Sequence, residues 1–252
     1  MSRAGIERML SEAARHIPAG SLVFAGVGMP VIAMALAKRF HHSDITILCE
    51  SGVVDTVPTG LTLSISDPSL VDHCSALFTP NEIFSFFLQR GRIDVGVIGG
   101  AQVDRFGNVN STVIGAYGHP KVRMPGSGGA CEIASNSRST LIITPQSRRR
   151  FVEQVDFITS PGHVPARRNG LLKGGGPRYC VTDLGLYGFD PDDGEMILLG
   201  LYDGVTLDMV RENTGWEIRV SDSLQTLGAP TQAEIDYISR LDPQGIFLGK
   251  SG

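Results

Sequence analysis

The sequence predicts an α/β protein whose mostly parallel sheet carries helices on both faces, and three observations carry that prediction. Apolar, β-branched runs such as Asp44-Ile-Thr-Ile-Leu-Cys49 and Ile93-Asp-Val-Gly-Val-Ile98 read as strands buried on both sides, since a doubly covered strand loses polar alternation. Segments with helical spacing of apolar residues alternate with those runs. The 252 residues, 42% of them hydrophobic, suffice for a full core, and one domain over residues 1–252 is expected.

Residues 4 to 17 place Ile6, Met9, Leu10, Ala13, Ala14 and Ile17 on one helical face. Ser21 to Ala25 then reads as a strand, Gly26 and Gly28 as a tight turn, and Pro30 to Phe40 as a helix. Gly26-Val-Gly28 is not a dinucleotide fingerprint, because Val31 stands where its third glycine would be. The strand ending at Cys49 runs into Glu50-Ser51-Gly52. In open α/β sheets ligands bind beyond the carboxyl ends of the strands, so Glu50 is expected to face the ligand crevice, with Gly52 leaving room for a bulky substrate. The segment from Val53 to Pro80, rich in Thr, Ser, Pro and Asp, is expected to form a functional wall or an interface. A helix over Asn81 to Gln89, a strand over Ile93 to Ile98 and a hairpin-like loop over Asp104 to Asn108 follow. In and around that loop Gln102, Asp104 and Asn110 could contact ligand, or could bond their own backbone.

Gly126-Ser127-Gly128-Gly129 opens a helical turn at Ala130, and such a loop can aim several N–H groups at one point. A carboxylate at a strand end facing such donors is what acyl transfer through a carboxylate nucleophile requires; the same loop could instead hold a phosphate. Strands are expected at Thr140 to Thr144, Tyr179 to Leu184, Met196 to Leu201 and Glu217 to Val220, with a β-rich insertion after about residue 150. Thr231 and Glu234 have the spacing of a capping box at the start of a last helix. The basic, glycine-rich stretch from Pro161 to Tyr179, with His163, Arg167, Arg168, Lys173 and Gly174 to Gly176, could close over substrate or form a solvated loop. Arg148, Arg149 and Arg150 read as a solvated face.

Composition excludes several classes of function. With 22 Lys and Arg against 26 Asp and Glu, a net charge of −4 leaves no basic excess for a nucleic-acid partner. Without an apolar run of spanning length or a signal-peptide core, a cytoplasmic protein with no membrane role is expected. Cys49, Cys74, Cys131 and Cys180 form no CxxC pair, so neither a zinc site nor a redox motif is indicated. Cys49 and Cys131 flank the two proposed motifs but lack a histidine signature, and His73 beside Cys74 is no dyad by spacing alone.

Several stretches together resemble a known family: Phe24 to Pro30, Ile47 to Gly52, the long block Gly91 to Asn108, Lys121 to Ala130, and Glu212-Asn-Thr-Gly-Trp216. They are similar, in the same order from about residue 20 to residue 235, to the B subunits of class I CoA-transferases, nearest to the glutaconate and 3-oxoadipate branch. Cys49-Glu50-Ser51-Gly52 has that branch's form, where many oxoacid transferases carry Ser-Glu-Asn-Gly. The resemblance implies a CoA-transferase (NagB/RpiA-like) type of α/β fold. It implies Glu50 as catalytic nucleophile, and Gly126, Ser127, Gly128 and Gly129 as the oxyanion and thioester-binding loop. Ser51, Gly52, Gly26, Gly28 and Gln102 are the candidate substrate-lining residues. It further implies CoA and acyl-CoA as substrates with no permanently bound cofactor or metal, and a separate A subunit in a heterodimer, heterotetramer or larger assembly. A dicarboxylate or oxoacid acceptor is the expectation from the branch. An acyl-CoA hydrolase of the ring-opening type on the same scaffold, and a non-catalytic effector-binding module, are the competing readings.

Overall fold

A computed structural model describes residues 2–26, 28–56, 60, 64 and 67–248. Val27 of the first glycine turn, and residues 57–59, 61–63 and 65–66 of the expected wall, lie outside the described residues. Among the described residues, ten strands form one sheet and two pairs of short strands form separate hairpins.

Helix α1 (Arg3–Arg15) starts at Ser2, whose side chain accepts from the Gly5 amide, and it buries the apolar face read from its spacing. Strand β1 (Leu22–Ala25) leads through Gly28, at φ +95°, into α2 (Met29–Leu36), which continues as a π turn to His41. Strand β2 (Thr46–Cys49) is followed by the short antiparallel strands β3 (Val53–Val54) and β4 (Ala76–Leu77) at the sheet edge. Helix α3 (Pro80–Glu82) opens with a Thr79–Glu82 capping box and passes into a π turn over Ile83–Leu88. Then come β5 (Val95–Ile98), the hairpin β6 (Gln102–Val103) with β7 (Val109–Asn110), and a second hairpin, β8 (Val113–Ala116) with β9 (His119–Arg123). Helix α4 (Ala130–Asn136) returns the chain to β10 (Ser139–Ile143).

Strands β2, β1, β5, β10 and β11 (Pro177–Val181) are parallel. A short helix, α5 (Pro165–Arg168), precedes β11. The expected β-rich insertion is instead a continuation of the main sheet: β12 (Gly185–Phe189) and β13 (Met196–Tyr202) add antiparallel, and after α6 (Leu207–Glu212) strand β14 (Arg219–Leu227) adds parallel to β13. Sequence patterning marks strands but not their partners, so the added strands could not be joined to the sheet from periodicity alone. Helix α7 (Gln232–Leu241) closes the described chain with the Thr231–Glu234 capping box.

Alternate residues of each central strand enter opposite layers. Val23, Ile47, Val97 and Leu141 pack with α1, α2 and α7, while Phe24, Leu48, Ile98 and Ile142 pack with Ile83, Leu88, Ile133 and Ala134 on the other side. Each fully buried side chain of this size stabilises the fold by roughly 1.5–3 kcal/mol. The order β5-β1-β2 has a functional consequence: the chain leaves β1 towards β2 and leaves β5 towards β10, in opposite directions. The crevice at such a reversal, beyond the carboxyl ends of the strands, is where open α/β sheets place ligands.

Candidate active site

At that reversal lies a cleft of about 310 Å³ lined by Gly26 after β1, Val97 to Gly99 at the end of β5, Glu50 after β2, Pro30 of α2, Ser111, and Pro125 to Gly128 with Ala130 and Ile133 of α4. Both helical layers contribute to its walls. Glu50 and the glycine loop, distant in sequence, are thus brought together.

Glu50 is half-buried. Burial pushes its carboxyl above the ordinary glutamate range, and a hydrogen bond donated by the Gly129 amide pulls it part of the way back. Gly129 must lack a side chain to do this: a Cβ there would lie 2.9 Å from Glu50 Oε1 and 2.8 Å from Phe84 Cζ. Gly26 faces the same carboxylate from β1, where a Cβ would stand 3.6 Å from Oε1. The result is a carboxylate poorly solvated by water and held by one aimed backbone dipole.

The glycine loop is shaped by its own bonds. Gly126 adopts φ +98° and Gly128 φ +50°, conformations that favour glycine whatever the space around them. The Ser127 hydroxyl accepts from the Cys131 amide at 2.9 Å and its carbonyl from Ala130, which starts α4. The Gly126 amide donates to the Ser111 carbonyl, so Gly126 shapes the loop rather than supplying a donor to the cleft.

The remaining expected site residues divide. Gly52 does not leave room for substrate. Its φ is +98° and a Cβ would fall 1.8 Å from the Phe78 carbonyl oxygen, so the chain leaving β4 occupies that space and holds the turn after Glu50 through the Phe78 amide and the Gly52 carbonyl. Ser51 sits in the same turn with its hydroxyl buried and without a hydrogen-bond partner among the described residues. Gly28 begins α2 beside Phe247. Gln102 is buried away from the cleft: its amide bonds Asp156, and its carbonyl accepts from Asn110 and from the Asp156 backbone. Asp104 and Asn110 are also turn residues, Asp104 accepting from Phe106 and Asn108, Asn110 from Thr112 and Val113.

Cys49 is a buried thiol whose pKa is pushed up to about 12 by burial and by the neighbouring Glu50 charge, so it stays protonated and is no nucleophile. Cys131 is exposed and Cys180 buried. Among the described residues no cluster of side chains suits a metal ion, and no helix is long and apolar enough to cross a membrane.

The basic glycine-rich stretch lies at the opposite end of the sheet. Its glycines cross the end of α4 closely, Gly174 donating to Ser135 and Gly175 to Ser137, with no space for a Cβ at Gly174, 2.4 Å from the Ser137 carbonyl. Arg167 donates to the carbonyls of Gly162, Gly174, Ala134 and Pro161. The stretch lies away from Glu50 as a loop tied down at Arg167 and at its glycines, with Arg168 to Leu171 and Lys173 exposed as a solvated loop would leave them. Arg150 likewise departs from the expected solvated face: it is half-buried and donates to the Gly100 carbonyl. Sequence reading missed Ser111 and Phe84, whose relation to the loop depends on contacts between distant segments; no local signal marks them.

Comparison with known proteins bears on this geometry. The family model for coenzyme A transferase matches residues 6–213. The chain is 44% identical to the B subunit of 3-oxoadipate CoA-transferase from Pseudomonas knackmussii, over 94% of this chain and 92% of that one. It is 38% identical to the B subunit of glutaconate CoA-transferase from Acidaminococcus fermentans, over 93% and 91%. The solved structure of glutaconate coenzyme A-transferase from Acidaminococcus fermentans matches with a TM-score of 0.89 at 36% identity, covering 98% of both chains.

Proposed function

The chain belongs to the coenzyme A transferase family, and we propose on that premise that it is the B subunit of a cytoplasmic heteromeric enzyme that moves CoA between an acyl-CoA and a carboxylic acid through a thioester on Glu50. The observation that carries the reading is the Gly129 amide bonded to a half-buried Glu50 in the cleft at the strand reversal.

In the first step a Glu50 oxygen attacks the acyl-CoA carbonyl; the C–S bond breaks and CoA thiolate leaves a mixed anhydride. The thiolate then attacks the glutamyl carbonyl, releasing the first acid as carboxylate and leaving a glutamyl-CoA thioester. An incoming carboxylate reverses both steps and departs as the new acyl-CoA. Two of these attacks occur on the carbonyl of Glu50 itself, so the oxyanion forms on an oxygen of the side chain that already accepts from Gly129. The same amide that orients the resting carboxylate is thereby the donor for the glutamyl tetrahedral intermediates. Every step is redox-neutral and exchanges only acyl and thiolate groups, so the reaction calls for no metal, flavin or nicotinamide. Carboxylate is a weak nucleophile, and binding energy from the remote parts of CoA must help reach the transition state.

A separate A subunit completes the site in this reading. The segment after the nucleophile supports it: Leu77 and Phe78 are large apolar side chains left exposed beside the turn that carries Glu50, and Phe86 is exposed on the helical turn that follows, as an interface would leave them. The acceptor is taken to be a dicarboxylate or oxoacid, by analogy with the 3-oxoadipate and glutaconate enzymes.

The test is to co-purify the chain with its A subunit, incubate the complex with 3-oxoadipyl-, glutaconyl- and succinyl-CoA, and trap the intermediate with borohydride or hydroxylamine before peptide mapping. Modification at Glu50 is expected. Turnover with no adduct there would sink the covalent route and leave direct hydrolysis.

A further inference from the structure

The glycine loop is held by one residue that motif reading passed over. Ser111 grips Gly126 from both sides: its carbonyl accepts from the Gly126 amide at 3.0 Å, and its hydroxyl donates to the Gly126 carbonyl at 2.9 Å. Beside it, the Met124 amide donates to Thr112, so the loop is fastened just before and at its first glycine. Ser111 is itself anchored from behind. Its amide donates to Thr159 Oγ1 at 2.9 Å, and that hydroxyl also bonds Thr112 Oγ1 at 2.7 Å. Thr159 is 4% exposed and belongs to the buried polar group of Gln102 and Asn110. The chain of bonds thus runs from the interior, through Ser111, to a loop whose last glycine touches Glu50.

We propose that Ser111 is a positioning residue for transfer at Glu50, setting the glycine loop so that the Gly129 amide meets the glutamyl oxygen; this rests on the reading of Glu50 as the acyl-accepting nucleophile. A Cβ at Gly126 or Gly128 would meet nothing within 4 Å, so side-chain packing does not fix the loop at those two glycines. Directed hydrogen bonds do so instead, and reacting groups displaced by about 1 Å can lose on the order of 10²-fold in rate. Without the Ser111 hydroxyl the Gly126 carbonyl loses its donor and the loop keeps only the backbone half of the grip.

The experiment uses the complex with the A subunit and compares wild type, Ser111→Ala and Ser111→Thr, with kcat expressed per Glu50 site titrated by borohydride trapping. Ser111→Ala is expected to lower kcat by about 10- to 100-fold with KM for acyl-CoA within about twofold, and Ser111→Thr, which restores the hydroxyl, to recover most of it. A merely structural role would lower the number of titratable sites and leave kcat per site unchanged, which would overturn the proposal; equal impairment of the Ala and Thr variants would also overturn it. Should Ser111→Ala fail to fold, Thr159→Val removes the hydroxyl that receives the Ser111 amide, and wild-type kcat per site in that variant would count against the proposal. If wild type forms no adduct at Glu50, the transfer reading itself falls and this inference with it; a normal adduct in wild type with an undiminished Ser111→Ala rate defeats the inference alone.

Discussion

The two ends of the central sheet hold very different clefts. At the amino ends of β10 and β11 a cleft of about 440 Å³ is lined by Arg138, His163, Arg168, Arg178, Asp190 and Asp192, a denser set of charges than surrounds Glu50. Yet these groups are largely occupied: Arg138 pairs with Asp94 at 2.8 Å, Arg168 with the Asp193 carbonyl, and His163 with the Pro177 carbonyl at 2.8 Å. At the carboxyl ends the cleft is smaller, about 310 Å³, and its charged lining residue is Glu50. There a carboxylate is denied full solvation and met by a backbone donor. Volume and charge density favour the first cleft; the proposed reaction favours the second, where the charged group is short of solvent and faces a backbone donor.

The largest expected effect is at the nucleophile. Glu50→Gln should reduce transfer by at least about 10⁴-fold, since no other described carboxylate lines the cleft to replace it. The amide keeps the oxygen that accepts from Gly129 and removes a charge that burial disfavours, so Tm should hold or rise by roughly 1–3 °C at neutral pH. A large fall in Tm would show that the Glu50 charge is structural and would erase the contrast between the two clefts.

Next comes the donor. Gly129→Ala forces a Cβ into the space of Glu50 Oε1 and Phe84, and kcat should drop about 10²- to 10³-fold, measured in the assembled complex. An unaffected kcat would mean that some other group holds the glutamyl oxygen.

The pH profile sharpens the same point more gently. Transfer needs ionised Glu50, and its pKa is raised by burial, so activity should fall on the acid side at a pH above that of an ordinary glutamate. Gly129→Ala keeps the backbone amide but its Cβ pushes the glutamyl oxygen away from it, which should move that limb further up. An acid limb at the ordinary carboxylate position would argue that Glu50 is fully solvated in the working enzyme.

The smallest effect is expected at the other end of the sheet. Arg168→Ala combined with Arg178→Ala should leave kcat and KM within about twofold, because the changes lie across the sheet from Glu50. A tenfold loss would give the charged cleft a share in catalysis.

Much of the site was legible in residue order. An apolar run ending in Glu50 is a strand terminus on pattern alone, and a Gly-Ser-Gly-Gly loop ahead of a helical turn is a donor loop on chemistry alone. The last helix starts at Thr231 with the capping box that its spacing to Glu234 spells out, whereas the equivalent box of Thr79 and Glu82 was not read. What stayed hidden is non-local. Gly52 read as space for substrate, whereas the chain leaving β4 fills that space; the reason lies in a pairing with Phe78, far along the chain, that no periodicity announces. Gln102 looked like a ligand contact and is an interior amide, held by Asn110 opposite it on β7 and by Asp156 from a segment far along the chain. The hairpin of β8 and β9 was missed because β9 is exposed throughout and carries no apolar alternation.

The cleft draws its walls from both helical layers, Pro30 from one side of the sheet and Ala130 with Ile133 from the other. Glu50 and the Gly129 amide are therefore adjacent only where both layers are packed on the sheet, and in the unfolded chain Glu50 is an ordinary solvated glutamate. On the proposed reading, a chain with either layer unpacked would set no donor against its carboxylate and would leave activated acyl groups untouched.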